Sequence, residues 1–475
     1  MTLSLWLDRD REQLRDILPC DGRFDDLVVG GGLTGLTAAL LLARAGRRVG
    51  LVEARHVGAV TTGNTTGKVS LLQGTKLSTI LGRQPRRSAE AYLDANRQGM
   101  EWLLRFCDDH GVPYQRREAV TFAMTEQELQ SVRREHEAAA SLGLPVRWEE
   151  NPDLPFPSVA ATALPEQAQI DPMPVLDALV AQFRLHGGTV HEGNRVLSVG
   201  ESSGRPSVLL DDGNEFVAEH LVLATGQPIS RRGLHFARVE PMRSYALAFT
   251  GASLPEGMYL SAGSSKRSLR DAPGGGDDDH LVVGGAGHVV GRTSSTEQRF
   301  DELRTWTSRW FPDAKETHAW SAQDYSPYGG VPLVGRLSPT NGRVFVATGF
   351  DKWGLTNGVA AAHAITSEIL GSHAPSVRTL PFHPAPFLQL ARMQAGVGAA
   401  MAKGYARSEH SGVVPVAERE VDGRLCRMVG VCTHLGGPLT WNDAEESWDC
   451  SLHGSRFAPD GTVLEGPATK PLRPY

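Results

Sequence analysis

The sequence predicts a large α/β domain with a mixed α+β region inserted into it, followed by a small all-β domain at the carboxy-terminal end. Three observations predict this. FDDLVVGGGLTGLTAALLLARAGRRVGLVEA reads as strand, glycine turn, helix and second strand, with the apolar runs of a buried parallel sheet. A second strand, glycine turn and helix, RVFVATGFDKWGLTNGVAAAHAITSEIL, follows only after some 300 residues of mixed helical and strand-like text. A Pro-rich break, FHPAPF (382–387), and a helical connector then lead into a tail of short strands and turns.

The 475 residues suit two to four domains at about 100–200 residues each. A 40% hydrophobic and 21% charged composition supports a soluble fold with a sizeable core. The 52 glycines have no period, which excludes collagen and simple repeats and leaves tight turns near a cofactor as their use. A formal net charge of −6 gives no general attraction to nucleic acid or anionic lipid. The amino end lacks the basic and apolar regions of a secretory signal. Glycines interrupt the one long apolar stretch, Leu27 to Ala45, so no membrane span is expected and the expected location is cytoplasmic. Cys20, Cys107, Cys426, Cys432 and Cys450 are too few and too scattered for a disulfide scaffold.

In the opening unit, a strand from Asp26 to Val29 and a helix from Leu33 to Ala45 precede a strand from Val49 to Val52. Gly30, Gly32 and Gly35 fit G-x-G-x-x-G: one for the tight turn, one for close approach of a pyrophosphate, one for helix–strand packing. The diphosphate then meets free amides at a helix N-terminus. Glu53 ends the second strand, 18 residues past Gly35, where a ribose-binding carboxylate belongs. The full context makes dinucleotide binding the reading.

The loop ARHVGAVTTGNTTGKVS, the strand HLVLATG ending at Thr225 and Gly226, and the turn and helix after Arg343 occur in an order that resembles the FAD-dependent oxidoreductases of the D-amino-acid oxidase type. The resemblance covers about residues 20–375. It implies FAD, with Gly349, Gly354, Leu355 and Thr356 near the ring and Val196 meeting the adenine through its backbone. Thr62 and Lys68 are further candidates at the cofactor. Taken singly, these glycines are equally ordinary turn residues. LVVGGAGHVVG (281–291) imitates a second fingerprint but lacks the following helix and acid, so a strand and short turn are expected there.

Between the FAD segments lie helical stretches at 88–111 and 126–143 and a hairpin at Asp211-Asp212-Gly213. Such an insertion is what the resembled family uses for substrate. Candidate substrate contacts are Arg243, Tyr245, Tyr325, Tyr328 and Trp353, because an Arg clamps a carboxylate bidentately and aromatics face a flavin ring. The alternative is a structural ion pair for Arg243 and a core role for the aromatics. GGGDDDH (274–280) lacks the spaced ligands of a calcium loop and reads as a solvated turn.

The tail carries Cys432-x-His434 and Cys450-x-x-His453, with 15 residues between the two pairs. Two thiolates on one iron and two imidazoles on the other are the ligand set of a Rieske [2Fe–2S] centre. Structural zinc also uses two Cys and two His, but spaces its first pair by two to four residues rather than one. The text H-G-S-x-F resembles Rieske domains, yet Gly437 and Leu452 stand where high-potential members carry a bridging disulfide. Ser455 is a candidate hydrogen-bond donor toward the cluster.

The whole chain resembles bacterial FAD-dependent oxidoreductases with a fused Rieske domain. The fold class is then an α/β FAD-binding, Rossmann-like domain with an inserted mixed α+β substrate domain, plus a small all-β Rieske domain. The expected boundaries are 20–375 (FAD segments about 20–80, 150–230 and 325–375), a linker at 376–407, and the Rieske domain at 408–475. The resemblance implies oxidation of a C–N bond in a small amine or amino-acid-like substrate, with electrons passing from FAD to the cluster and on to an acceptor protein or small carrier. The alternatives are an oxidase discharging to O₂ with a structural tail, or a non-enzymatic electron-transfer module. No catalytic acid or base is assigned.

Overall fold

Arg23–Val29 is the pivot of an eight-stranded sheet in the computed structural model. The structure describes residues 2–17, 21–252, 256–273, 279–338, 340–372, 387–407, 409–411, 414–421 and 423–475. The pivot strand pairs in parallel with Val49–Glu53 on one side and Glu215–Leu223 on the other. Thr189–Glu192 and Val344–Thr348 extend the parallel array outward. Parallel strands need both faces covered, which explains their continuous Val, Leu and Ile text. Leu33–Arg44 packs between this sheet and the helices Pro172–Leu185 and Gly354–Ile369, and is therefore buried nearly all round. The expected hairpin joins Arg205–Leu210 to Glu215–Leu223.

Gly35 shows why the fingerprint tolerates no side chain at its third glycine. A Cβ there would fall 2.0 Å from the Gly30 carbonyl oxygen, which is backbone and cannot swing away. Gly35→Ala is expected to cost about 3 kcal/mol or more through overpacking. Flavin content after purification is the measurement, with near-complete loss as the outcome.

The inserted region forms a second sheet of nine strands. Its long edge is an antiparallel ribbon of Val239–Thr250 and Lys315–Pro327, in which Met242 faces Asp324, Arg243 faces Gln323 and Ser244 faces Ala322. His280–Val289, the strand that imitates a second fingerprint, pairs antiparallel with Val239–Thr250 and Arg267–Ala272. The expected helices are Arg86–His110 and Glu126–Ser141. Near the amino end, Trp6 is buried, donates from its indole to the Thr65 carbonyl (2.6 Å) and lies under Arg270, so this segment braces the TTGNTTGK loop.

The tail folds into a three-stranded and a four-stranded sheet around Trp448, Phe457, Val463 and Leu472. The connector is the helix Phe387–Arg407, tied to the first domain by Gln394 donating to the Ala237 carbonyl (2.6 Å) and to the tail by Tyr405 donating to the Gly436 carbonyl (2.6 Å). Cys20, 274–278 of GGGDDDH and 382–386 of the Pro-rich break lie outside the described residues. Among the described residues no helix is long and apolar enough to cross a membrane.

Candidate flavin cleft and iron–sulfur centre

A cleft partly open to solvent is lined from both sheets. Gly30, Gly32, Glu53, Thr62 and Val196 line one part, Thr225 and Gly226 another, and Gly349, Gly354 and Leu355 a third. Helix Leu33–Arg44 starts at Gly32 with no side-chain cap and no acid in its first turn, and Gly354–Ile369 also starts without a side-chain cap. Two uncapped helix N-termini on one cleft offer free amides and positive dipole ends. Gly30 (φ 112°) leaves the floor bare, since a Cβ there would meet the Ala224 carbonyl at 2.5 Å. The Glu53 carboxylate accepts from the amides of Gly31 and Arg55, both at 2.8 Å, and burial raises its pKa above the usual range. This bare cradle, with an acid at the end of the second strand, fits FAD.

Other expected contacts are not among the lining residues. Gly35 packs on Gly30 as described. Lys68 is buried and donates to the Ser268 hydroxyl, and its pKa is pushed down to about 7 by burial and by Arg270. The Thr356 hydroxyl donates to Asn96 within the core, and Tyr328 is buried beneath Arg238. Trp353 precedes its helix and accepts from the Asn357 side chain through its carbonyl (3.0 Å).

Arg243 and Tyr245, expected to meet substrate, are corrected by the ribbon's alternation. Side chains two residues apart share a face. Ser244 takes the face toward the cleft, where it accepts from Lys352 at 2.7 Å. Arg243 and Tyr245 take the opposite face: Arg243 is fully buried and paired with Glu445 of the tail at 2.9 Å, and the Tyr245 hydroxyl meets His288 at 2.9 Å.

The cleft side of the same ribbon carries Asp324, which sequence reasoning missed. Its carboxyl is buried, one oxygen (Oδ2) has no hydrogen-bond partner, and burial pushes its pKa up to about 7 against the pull of Lys352. A carboxyl raised in the fold weakens the folded state as pH climbs from about 4 toward 7, because the unfolded chain ionises first. Asp324→Asn is therefore expected to raise the melting temperature more at pH 8 than at pH 5, as read by thermal unfolding. Beside it, Asp351 (φ 49°) and Lys352 (φ 72°) are consecutive left-handed non-glycine residues. Lys76 anchors Asp351 at 2.6 Å, and the strained turn holds Lys352 over the cleft.

In the tail the four expected ligands divide into a sulfur pair and an imidazole pair. Cys450 hydrogen-bonds Cys432, lowering the Cys432 pKa and raising its own. The rings of His434 and His453 lie 5.4 Å apart at 81°, and burial pushes both down to about 4, leaving them neutral. Among the described residues no three metal-binding side chains converge on one point. A sulfur pair and an imidazole pair would be the residues that hold the two irons of a [2Fe–2S] cluster, which would supply one-electron transfer there. Backbone amides of His434 and Leu435 donate to Cys432, those of Leu452 and His453 to Cys450, and the Ser455 hydroxyl also bonds Cys432. A Cβ on Gly437 would stand 2.9 Å from the Cys450 sulfur. The pocket fits a Rieske cluster.

This centre is docked on the flavin domain by its imidazole edge. Phe236 packs edge-on against His434 (5.0 Å) and His453 (4.8 Å). Gln323 donates to both the Gly454 carbonyl (2.7 Å) and the Tyr325 hydroxyl (2.9 Å), and Tyr325 lines the flavin cleft. Gly454 (φ 81°) permits the contact, because a Cβ would meet Pro241 at 2.6 Å. Gly291 likewise lies against the Ser451 backbone, a role for the glycine turn that imitated a fingerprint. Asp443 of the tail accepts from the amides of Thr296 and Glu297, capping the helix Glu297–Trp310. Leu464, Glu465, Gly466 and Thr469 of the tail line the flavin cleft itself. None of the contacts between the tail and the flavin domain was visible in sequence, since each pairs residues more than a hundred positions apart.

The comparisons with known proteins agree with this geometry. The model of the FAD dependent oxidoreductase family matches residues 25–368, and that of the Rieske [2Fe-2S] domain matches 395–475. A Bacillus subtilis (strain 168) protein provisionally named as a Rieske 2Fe-2S iron-sulfur protein, YhfW, is 30% identical over 95% of this chain and 93% of its own. The cytochrome b6-f complex iron-sulfur subunit 3 of Nostoc sp. is 50% identical over 46 residues, 10% of this chain and 26% of that subunit. Among solved structures, L-proline dehydrogenase from P. horikoshii matches with a TM-score of 0.63 at 16% identity, covering 79% of this chain and 98% of that one. Glycine oxidase from Geobacillus kaustophilus matches with a TM-score of 0.63 at 19% identity, covering 77% and 98%. These two show the fold. The chain belongs to the FAD-dependent oxidoreductase family and carries a Rieske domain at its carboxy-terminal end, with FAD and a [2Fe–2S] cluster as its cofactors.

Proposed function

We propose that this protein oxidises the C–N bond of a small amine or amino-acid-like substrate, and that the electrons leave through its own Rieske cluster to an outside acceptor. When bound, FAD supplies the two-electron oxidation and the cluster supplies one-electron carriage. The observation that supports the reading is the shared wall. One ribbon, Val239–Thr250 with Lys315–Pro327, turns Ser244 and Asp324 toward the cleft and Arg243 and Gln323 toward the tail. The solved neighbours, a proline dehydrogenase and a glycine oxidase, support the substrate class.

The chain's residues have distinct work in this scheme. The uncapped end of Leu33–Arg44 would hold the diphosphate, and the uncapped end of Gly354–Ile369 would face the ring end and orient the dinucleotide. Phe236 excludes water from the imidazoles, and Gln323 holds the Gly454 loop against Tyr325. Lys352 and Asp324 put a cation and a proton acceptor at the cleft.

The test is anaerobic titration with a panel of amino acids and amines, following flavin absorbance and the Rieske electron paramagnetic resonance (EPR) signal in one sample. The expected result is a substrate that bleaches the flavin and brings up the cluster signal together. A substrate that bleaches the flavin and yields hydrogen peroxide in air, with the cluster left oxidised, establishes the oxidase instead.

A further inference from the structure

We propose that the exposed leucines Leu234 and Leu435, with the exposed Arg231, Arg232, Lys403 and Lys470 on segments bonded to the cluster-ligand loop, form the docking surface for a small acidic one-electron carrier protein. The inference rests on the reading that electrons leave through the cluster; it adds where they leave and to what kind of partner.

The imidazole edge is closed to a partner. His434 and His453 are each only 6% exposed, with Phe236 against both rings. A carrier must therefore approach beside that edge. Leu435 directly follows His434 and is 42% exposed, and Leu234, two residues before Phe236, is 59% exposed. The two segments are joined by Arg231 donating to the His434 carbonyl. Leu234 adopts φ 48° just after Gly233 at φ 72°, a strained conformation for a non-glycine residue that holds this leucine in the outward turn. Two exposed leucines on segments joined to each other at the cluster-ligand loop are candidates for a docking surface.

The charge around the patch selects the partner. Three segments are bonded to the ligand loop 431–438: 228–238 through Arg231 to the His434 carbonyl, 387–407 through Tyr405 to the Gly436 carbonyl, and 466–475 through Thr433 to the Lys470 carbonyl. Together these four segments contain eight Lys and Arg and no Asp or Glu, in a chain of net charge −6. Arg231, Arg232, Lys403 and Lys470 are exposed. A basic collar on an acidic protein steers an acidic partner to that spot and turns other acidic proteins away elsewhere. Two electrons leave each substrate molecule, so two oxidised carriers dock in turn and each departs with one.

The test uses the holoprotein reduced with dithionite, mixed with oxidised plastocyanin (acidic), mitochondrial cytochrome c (basic) or benzoquinone (uncharged). Cluster reoxidation is read by freeze-quench EPR. Plastocyanin is expected to react about tenfold faster than cytochrome c at low salt, with the advantage shrinking as ionic strength passes about 0.15 M. The double variant Arg232→Glu, Lys403→Glu is expected to slow plastocyanin about tenfold while leaving benzoquinone unchanged. A plastocyanin rate indifferent to the charge reversal, or cytochrome c faster at low salt, overturns the docking surface and leaves outward transfer standing. A cluster that none of the three acceptors reoxidises overturns outward transfer, and this inference with it.

Discussion

Arg243→Met is expected to cost about 3–5 kcal/mol and to undock the Rieske domain from the flavin domain. Arg243 and Arg456 face three buried carboxylates. Arg243 reaches Glu445 at 2.9 Å, Asp449 at 3.8 Å and Glu465 at 3.9 Å, and Arg456 reaches the same three at 3.1, 3.3 and 3.1 Å. Ser321 and Gln323, on the strand opposite, accept from Arg243 at 2.7 Å each. Removing one guanidinium leaves three buried carboxylates to share the other, so the loss is the desolvation of an unpaired charge rather than the net worth of a pair. The measurement is thermal unfolding together with substrate-driven cluster reduction. A lower melting temperature is expected, with the cluster still reducible by dithionite but no longer by substrate. Arg243→Met with Glu445→Gln is expected to recover part of the stability, because the stranded charge goes with its partner. A single variant as stable as the parent sinks the argument.

The same network sets the acid limit. Burial pushes Glu445 upward, but Arg456 and Arg243, with Ser321 and Asn442, outweigh it and hold its pKa at about 2. An unfolded glutamate titrates near about 4.3. The sign is that of a depressed carboxylate: its contribution is fully present above the unfolded value and is lost as pH falls from there through about 2. Docking is expected to survive mild acid and to fail in that window, visible as loss of substrate-driven cluster reduction after pH jumps.

Cys450→Ser is expected to abolish the Rieske EPR signal and reduce iron to background, with flavin content and substrate bleaching retained. A serine hydroxyl is not ionised near neutrality and is a harder, poorer ligand than a thiolate, so one iron would be left with a single protein thiolate. Cys450 also sits in the tail's core beside Trp448, Leu452 and Phe457, so the tail is expected to lose stability as well. Iron and sulfide analysis against flavin checks the first outcome. Zinc in the parent protein, with no iron, removes the cluster and the transfer scheme with it.

Much of the fold was legible because its signals are local. The glycine fingerprint, the apolar parallel strands, the hairpin at Asp211-Asp212-Gly213 and the long helices each follow from residues within one short window. The four candidate cluster ligands were legible for the same reason: two short loops carry them, and a [2Fe–2S] cluster of this type takes those residue types at that spacing. Arg243 and Tyr245 were misplaced because a strand with polar and aromatic residues at alternate positions does not say which face meets which neighbour. A shift of one residue moves every side chain to the other side of the sheet. Lys68 and Thr356 show the same limit, since lying close in sequence to a cofactor segment did not put them on the cleft.

Sequence alone determined the two cofactor-binding units and their order along the chain, and it picked out the candidate ligands of the cluster, because these depend on backbone turns and coordinating atoms close together in the chain. Only the tertiary structure decided that Phe236 covers the imidazole edge, that Gln323 spans from Gly454 to Tyr325, that Asp324 faces the flavin cleft, and that Arg243 belongs to the tail's carboxylates. The physical reason is that each of these depends on a choice of sheet face or on pairing across more than a hundred residues, and burial, not local propensity, makes that choice.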